Sequence, residues 1–478
     1  MSFNRRSFLK SSAGSLGFAL LPASFKASVA SDGFLEIIAG PSQQKLYSGD
    51  APDSDLWSYN DSTPGPEIRV KRGDRVKVRL VNKLEEATSI HWHGIRIAND
   101  MDGVSGLTQK AVEPGATFEY DFIVPDAGTY WYHAHNRSWN QVARGLYGAL
   151  IVEGDTSDFD AEHDRTLVLD DWRLDQSGKF DTASLGSMMD WSHGGRLGNW
   201  LTVNGKSQPN YALNANESYR LRLINTSNAR VLELDTKQLG AKILAYDGQS
   251  LPAVTELPYQ PLLLGPAQRV DLLVVPESGI PMQLDEVSGG QAFSVASFDI
   301  VEKSDNTSPI PALGMSEVTM PALILNDLPE PDLENARVFK LDMTGGAMGG
   351  MGDITYKGKK LERADFRSTG QVWAFNGIAN LADAPFFSVQ RNDTIILDTV
   401  NNTAFLHAMH IHGHHFRVLE RSGSDVDEGK PWRDTFLIGP KQTTKIAFVA
   451  DNPGKWLLHC HMLEHAAAGM NTWFEVGA

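Results

Sequence analysis

The feature that most restricts the fold of this 478-residue chain is one order of turns and strands that recurs three times. In each copy a turn rich in Gly and Pro leads into an alternating or β-branched segment. Upstream of it a second turn leads into a similar segment, which is VKVRLVN, RLRLIN and TIILDTVNN in the three copies. The downstream copies are Val112-Glu113-Pro114-Gly115 before TFEYDFIVP, Gly265-Pro266-Ala267-Gln268 before RVDLLVVP, and Gly439-Pro440-Lys441-Gln442 before TTKIAFVAD. This triplication predicts an all-β chain of three Greek-key β-sandwich or barrel domains.

The spacing of the copies predicts domain limits at residues 31–155, 156–303 and 333–478. Residues 304–332 are rich in proline, which predicts an extended linker over the surface. The prolines of this stretch are Pro309, Pro311, Pro321, Pro329 and Pro331. No segment with a helical period is long enough to form a helical bundle, so an all-β chain is expected throughout.

The first thirty residues form a separate segment with the features of a twin-arginine export signal. Arg5 and Arg6 precede a modest apolar stretch that ends at Leu21, and the small residues Ala27-Ser28-Val29-Ala30 suit cleavage. A membrane-anchoring start is the alternative, but the apolar run is too short to span a bilayer. We therefore expect a periplasmic protein without a membrane span, whose mature chain begins near Ser31.

The charge and the cysteine content narrow the possible partners. The formal net charge of -16 argues against nucleic acids and anionic membranes as partners and is compatible with neutral or cationic small substrates. The single cysteine excludes an internal disulfide. In an oxidising compartment a lone free thiol is a liability unless something occupies it, which directs attention to a bound metal. We expect a monomer.

The only cysteine lies inside the segment HCHMLEHAAAGM, residues 459–470, and most histidines are clustered as well. The clusters hold His91 and His93; His133 and His135; His407, His410 and His412; and His459, Cys460, His461 and His465. Residues i and i+2 of a strand project to one face, so each His-x-His pair directs two imidazoles into one space. Cys460 should point away from its two neighbours, which predicts two metal sites joined through one residue of backbone.

The thiolate side of that strand favours a soft, redox-active ion. Cys460 with His407, His465 and a distant Met470 supplies the donor set of an electron-transfer copper. A structural zinc site is the alternative, since Cys and His also bind zinc. The eight other clustered histidines exceed what a zinc site would need.

The repeats also indicate how the remaining histidines meet. The spacing from Gly128 to His133 equals that from Gly454 to His459, so the His-x-His pairs of the first and third domains occupy equivalent strands. The second domain has no such pair. Equivalent faces of the outer two domains are therefore expected to pool their histidines at a shared boundary.

These four motifs, in this order and across nearly the whole mature chain, resemble those of the three-domain multicopper oxidases. The resemblance implies cupredoxin-like domains, four copper ions per chain, and reduction of dioxygen to water with electrons that Cys460, His459 and His461 pass inward. It implies a type 1 copper at His407, Cys460, His465 and Met470, a type 2 copper at His91 and His410, and type 3 coppers at His93, His133 and His461 and at His135, His412 and His459. No role is implied for His163, His193, His414 or His415.

Oxygen reduction consumes protons, and the resemblance places an acid beside the type 2 copper. Asp102, nine residues after His93, matches that acid, although an Asp-Gly turn alone is the alternative. Several members of the family carry Glu directly after the second type 1 histidine, where this chain has Ala466. The proton route on that side is therefore not predicted.

The donor of electrons is predicted less sharply. Met343, Met348 and Met351 lie in a Gly-rich loop and offer thioethers that suit Cu(I), but a flexible surface loop is the alternative. Thr403 and Phe405 stand where the cuprous oxidases of this family place Asp and Met.

The leading interpretation of the whole chain is thus a laccase-like oxidase of phenolic or aromatic donors, with cuprous oxidation in copper tolerance as the alternative. A copper-free structural or cell-division scaffold of the same fold is the competing non-enzymatic class. Ten clustered histidines together with Cys460 argue against that scaffold.

Overall fold

The computed structural model describes residues 32–155, 159–302, 323–348, 353–424, 427 and 429–478. The predicted export signal lies outside this part of the chain, and so does most of the predicted linker. Six large sheets follow one another in pairs along the chain, which confirms the all-β prediction. We call these pairs the first, second and third units, and the exact domain limits stay predictions.

The first unit packs two four-stranded sheets against each other. Its strands are β1 Leu35–Gln44, β2 Ser54–Tyr59, β3 Gly65–Lys71, β4 Arg75–Asn82, β5 Ile90–His93, β6 Thr117–Ile123, β7 Gly128–Ala134 and β8 Tyr147–Glu153. The orders are β2-β1-β4-β6 and β3-β8-β7-β5. In β4 every second residue is buried, because alternate side chains face the core that holds Trp92 and Tyr120.

The second unit has a six-stranded and a five-stranded sheet. Its strands are β9 Asp164–Trp172, β10 Trp200–Val203, β11 Asn210–Asn214, β12 Tyr219–Asn225, β13 Leu232–Asp235, β14 Lys242–Tyr246, β15 Gln249–Glu256, β16 Leu262–Leu264, β17 Arg269–Val274, β18 Met282–Glu286 and β19 Phe293–Val301. The orders are β10-β9-β12-β17-β14-β15 and β11-β19-β18-β13-β16. Strand β17 is buried along its whole length, since it packs into the core of the second unit and also contacts β7 of the first unit.

The third unit repeats the design and adds a small hairpin. Its strands are β20 Arg337–Gly345, β21 Thr355–Tyr356, β22 Lys359–Lys360, β23 Trp373–Phe375, β24 Ser388–Val389, β25 Thr394–Asn401, β26 His407–Ile411, β27 Phe416–Arg421, β28 Trp432–Arg433, β29 Thr435–Ile438, β30 Thr443–Val449, β31 Gly454–Cys460 and β32 Asn471–Val476. The main sheets run β23-β20-β25-β30-β27-β28 and β24-β32-β31-β26-β29, and β21 pairs with β22.

The predicted repeats occupy equivalent places in the three units. The strands after the downstream turns are β6, β17 and β30, and each pairs antiparallel with the strand of the upstream copy. Those upstream strands, β4, β12 and β25, pair in parallel with the first strand of their unit. The sequence repeats therefore describe one strand topology used three times.

Helical segments are short and lie in the loops. The α-helices are α1 Ser138–Gln141, α2 Met188–Ser192, α3 Asp365–Thr369 and α4 Leu463–Ala467, and short 3-10 turns occur at Asn99–Met101, Thr182–Ser184 and Lys237–Leu239. None of the helices in the described ranges is both long and apolar enough to cross a bilayer. Helix α4 packs against α1 and α2, so loops of all three units meet beside the last strand pair.

Candidate metal centres

Two antiparallel strand pairs carry the His-x-His motifs. In the first unit β5 pairs with β7 so that His91 lies opposite His133, and in the third unit β26 pairs with β31 so that His410 lies opposite His459. All four strands are buried at these positions. Each pair therefore presents a patch of imidazoles on one face, as the period of two predicts.

The imidazole patches of the first and third units face each other. The ring of His91 stacks on that of His412 with centroids 3.8 Å apart, and the ring of His93 stacks on that of His410 at the same distance. We call the resulting group the histidine cluster; its members are His91, His93, His133, His135, His410, His412, His459 and His461. Nitrogen atoms within it come together in three sets: His91, His93 and His410; His93, His133 and His461; and His135, His412 and His459.

The hydrogen bonds of the cluster leave ring nitrogens free to bind a cation. His91 donates from Nδ1 to the carbonyl oxygen of Asp102, and His410 does so to the carbonyl of Asp434, each across 2.8 Å. The Nε2 atoms of both rings are buried without a hydrogen-bond partner in the described part of the chain. Since each ring has its proton on Nδ1, its Nε2 offers a lone pair.

The rings of His412 and His459 also donate from Nδ1 and leave Nε2 free. His412 donates from Nδ1 to the Asp102 carboxylate at 3.0 Å, and His459 donates from Nδ1 to the carbonyl of Cys460 at 3.0 Å. Their Nε2 atoms lie only 3.2 Å apart. Two lone pairs directed at each other repel unless a cation lies between or beside them, so this donor set fits a metal ion.

Burial keeps the cluster histidines neutral. It lowers the pKa of His93, His133 and His412 well below the usual value, and the neighbouring imidazoles lower the pKa further. Burial also lowers the pKa of His459 to about 3. Metal ions bind the neutral ring, so these side chains need not release protons first.

The second centre, which we call the cysteine site, consists of His407, Cys460, His465 and Met470. The Cys460 Sγ atom lies 3.6 Å from Nδ1 of His407 and 3.7 Å from Nδ1 of His465, and these two nitrogens are 3.0 Å apart. The backbone carbonyl of Met470 accepts a hydrogen bond from the N–H of Cys460 at 3.0 Å. The side chains of Met470 and Cys460 are buried in one hydrophobic core cluster of the third unit.

Hydrogen bonds on the outer edges orient both imidazoles of the cysteine site. Nε2 of His407 donates to the Thr403 hydroxyl oxygen at 2.8 Å, and Nε2 of His465 donates to the His193 carbonyl at 2.5 Å. Both Nδ1 atoms therefore present lone pairs toward the sulfur. Burial raises the pKa of the Cys460 thiol to about 12, so the thiolate requires a bound cation to compensate it.

Known proteins resemble this chain over most of its length. Family models described as multicopper oxidase match residues 42–157 and 353–478. A crystal structure of a multicopper oxidase from Pseudomonas thermotolerans is 31% identical, covers 92% of this chain and 98% of its own, and has a TM-score of 0.77. The chain belongs to the multicopper oxidase family.

Two further relatives extend the comparison. The crystal structure of Lac15 from a marine microbial metagenome is 34% identical over 92% of this chain and 99% of its own, with a TM-score of 0.71. The multicopper oxidase MmcO of Mycobacterium tuberculosis is 28% identical over 87% of this chain and 82% of its own. This multicopper oxidase is accordingly an oxygen-dependent oxidoreductase whose cofactor is copper, and its histidine groups fit that metal.

The predicted acid of this multicopper oxidase lies against the histidine cluster. The Asp102 side chain is 1% exposed, and its carboxylate lies 3.0 Å from Nδ1 of His412 and 3.2 Å from Nδ1 of His91. Gly103 adopts a φ of +87°, and a Cβ there would come within 1.8 Å of the Ile90 carbonyl oxygen. The Asp-Gly turn and the carboxylate contact thus occur together, because the turn delivers the carboxylate to the cluster.

One acid of the site was not predicted from the sequence. Asp434 is fully buried, its carbonyl holds His410, and its carboxylate lies 3.3 Å from Nε2 of His93. A sequence signal existed, since Asp434 is a lone acid between the short strand β28 and the apolar strand β29. It became meaningful only when strands from two units were brought together.

The four histidines without a predicted role lie outside the two centres. His163 contacts Asp160 and Glu217 at 2.7 and 2.8 Å. His193 contributes its backbone carbonyl to the cysteine site. His414 and His415 are buried just after strand β26, and burial lowers the pKa of each to about 4.

The methionines proposed for Cu(I) do not share one surface. Met343 is fully buried in strand β20, whereas Met348 is 73% exposed and Met351 lies outside the described residues. Met343 therefore cannot belong to a surface Cu(I) site, because side chains alternate between the two faces of β20 and that of Met343 faces the core.

Thr403 and Phe405, which stand where cuprous oxidases place Asp and Met, and Ala466, which follows His465, all have defined contacts. Thr403 fixes His407, and the ring of Phe405 lies edge-on to Trp373 and His193. Ala466 has no polar side-chain group; its backbone N–H donates to the Met462 carbonyl, and its own carbonyl accepts from the N–H of Gly469.

Proposed function

We propose that this enzyme oxidises phenolic or aromatic donors by one electron at the cysteine site and reduces dioxygen to water at the histidine cluster. The cysteine site would hold the type 1 copper, His91 and His410 the type 2 copper, and the other six cluster histidines the two type 3 coppers. The observation that supports this assignment is the grouping of the ligand nitrogens: two sets are the two type 3 groups, and the third holds His91 and His410 together with His93.

Copper, when bound, supplies the one-electron chemistry that protein side chains lack. The chain contributes the connection between its two centres: Cys460 belongs to one, and its neighbours His459 and His461 belong to the other. Strand β31 ends with His459 and Cys460, and His461 follows directly, so the path between the centres is covalent and short.

The residues around the histidine cluster exclude water and supply protons. Seven of its eight rings are buried, so the cluster is shielded from bulk water. Asp102 holds hydrogen bonds from His412 and His91 and is the acid placed to deliver protons there. This role belongs to the carboxylate, because the backbone carbonyl of Asp102 carries no proton and only accepts the hydrogen bond from His91.

Phenolic donors are favoured over Cu(I) because the thioethers are few. Of the three proposed methionines, only Met348 is exposed in the described part of the chain. Cuprous oxidation remains the second candidate on one observation: Met189 on α2 is 64% exposed, and the loop before Met348 bonds to the end of α2 through Ala347 and Ser192 at 2.8 Å. Two soft side chains thus flank one edge of the molecule.

Steady-state turnover of a substituted phenol and of Cu(I), both under air, tests this ordering. Four phenols oxidised per dioxygen consumed is expected, with Cu(I) turnover of similar size or lower. Cu(I) turnover that exceeded phenol turnover by orders of magnitude would reverse the ordering. Protein that carried almost no copper after reconstitution would support the non-enzymatic scaffold instead.

We also propose export through the twin-arginine route to the periplasm, and a monomeric state. Support for export comes from Arg5 and Arg6 ahead of a short apolar run. Replacement of both by Lys should trap the full-length chain in the cytoplasm. Cell fractionation would measure this, and unchanged processing of the variant would contradict the proposal.

A further inference from the structure

Asp102 and Asp434 occupy equivalent positions on the two sides of the histidine cluster. Each carbonyl accepts a hydrogen bond of 2.8 Å from a histidine of its own unit, His91 and His410 respectively. Each carboxylate reaches a histidine of the other unit: Asp102 contacts His412 at 3.0 Å, and Asp434 contacts His93 at 3.3 Å.

The two carboxylates differ in their partners. Asp434 forms a bidentate ion pair with Arg269 of the second unit, at 2.8 and 2.6 Å, and both side chains are fully buried. In the described part of the chain, the ion-pair contacts of Asp102 are to His91 and His412 only. Asp434 is therefore a fixed anion, while Asp102 keeps its carboxylate for the cluster.

We infer that Asp434 and Arg269 are positioning residues for His93 and His410, and that the second unit acts on the cluster through them; this inference rests on the proposed function. Arg269 also donates from Nε to the Thr129 carbonyl of the first unit at 3.1 Å. Its guanidinium thus touches the two units that supply the cluster histidines while belonging to the unit that supplies none.

The backbone next to the Arg269–Asp434 ion pair leaves no room for a side chain. Gly94 follows His93 directly with a φ of +86°, and a Cβ there would lie 2.4 Å from Nη2 of Arg269 and 2.5 Å from the Asp434 carboxylate. Only glycine allows the backbone after His93 to approach the pair this closely. The backbone that carries one ligand is therefore shaped around the guanidinium.

Removing the cation would leave the Asp434 carboxylate buried without its compensating charge. The carboxylate would then turn toward other donors, and His93 would lose a fixed acceptor. Loss of partners that orient metal-binding histidines typically weakens metal affinity about 10- to 100-fold. We expect a loss of that size in the histidine cluster and none in the cysteine site, since Asp434 contacts no residue of the latter.

Arg269→Met tests this, with Arg222→Met as the matched control. Arg222 is also buried in the second unit, forms a bidentate pair with Asp164, and bonds to Thr129, but touches no cluster histidine. Copper per chain, the type 2 electron paramagnetic resonance signal and the blue absorption are measured after titration against a copper chelator.

In Arg269→Met the copper of the histidine cluster, measured as copper per chain, should be lost at chelator concentrations about 10- to 100-fold lower than in the wild type while the blue band stays, and Arg269→Lys should restore part of it. Arg222→Met should keep both signals. Equal loss in the two Met variants, or no loss in Arg269→Met, would overturn the inference. If Arg269→Met does not fold, Asp434→Asn, which keeps the backbone bond to His410, should show the same selective loss. Wild-type protein without a type 2 signal would contradict the proposed function itself.

Discussion

His465 donates its Nε2–H to the backbone carbonyl of His193 across 2.5 Å, which joins the second unit to the cysteine site. The His465 ring is fully buried. Helix α2, just before His193, packs against helix α4, which carries His465. The outer edge of this ring is thus covered by the second unit, which has no predicted copper ligands.

Replacing Cys460 by Ser should abolish the intense blue absorption and the oxidation of donors. The thiolate is the one soft anionic ligand at this site, and a hydroxyl does not replace it. The histidine cluster points to the other side of β31 and should keep its copper. Visible spectroscopy and copper analysis check both halves, and a persistent blue band would show that another residue provides the sulfur ligation.

Replacing Asp102 by Asn should lower turnover about 10²-fold while copper content stays near that of the wild type. Asn preserves the shape and the backbone bond to His91 but cannot exchange a proton as a carboxylate does. Asp100→Asn is the matched control, because that acid lies two residues away and is exposed. Oxygen consumption under donor saturation measures the effect, and equal rates in the two variants would argue against the proton role.

Replacing Thr403 by Val should weaken copper binding at the cysteine site about tenfold, because Nε2 of His407 loses its acceptor. The change keeps the volume of the side chain, and Thr403→Ser keeps the hydroxyl and should resemble the wild type. The blue absorption during chelator titration is the measurement. If Val and Ser behaved alike, the hydroxyl would have no part in holding His407.

The copper-free protein should lose stability as the pH falls from about 6.5 to about 4. Burial lowers the pKa of His415 to about 4, so below its unfolded value the unfolded chain binds a proton that the folded chain does not. Each such histidine contributes about 1.4 kcal/mol per pH unit in that window. Urea unfolding at several pH values should show a shallower slope for His415→Gln.

His163→Gln provides the opposite sign as a control for this pH dependence. Burial opposes its charge, but hydrogen bonds to Glu217 and Asp160 raise the pKa of His163. Its contribution to stability is present below the unfolded pKa and is lost as the pH rises through the folded pKa. Removing it should therefore leave the slope between about pH 6.5 and about pH 4 unchanged and abolish a loss of stability as the pH rises above about 6.5. An acid slope that changed in His163→Gln but not in His415→Gln would contradict these pKa directions.

Much of the fold could be predicted because its signals are local. The alternation in β4 and the turns before β6, β17 and β30 identify strands without reference to distant residues. Asp102 was predicted because its offset from His93 matches the position of the acid that the family resemblance implies. Asp434 could not be predicted, since its partner His93 lies 341 residues away, and no local pattern indicates that contact.

By itself, the sequence determined which side chains share a face: the period of two in a strand places His459 and His461 together and Cys460 opposite them. Only the tertiary structure decided which faces meet, because the order in which three sandwiches pack depends on contacts summed over whole surfaces. That packing brought the His193 carbonyl onto His465 and set Arg269 against Asp434.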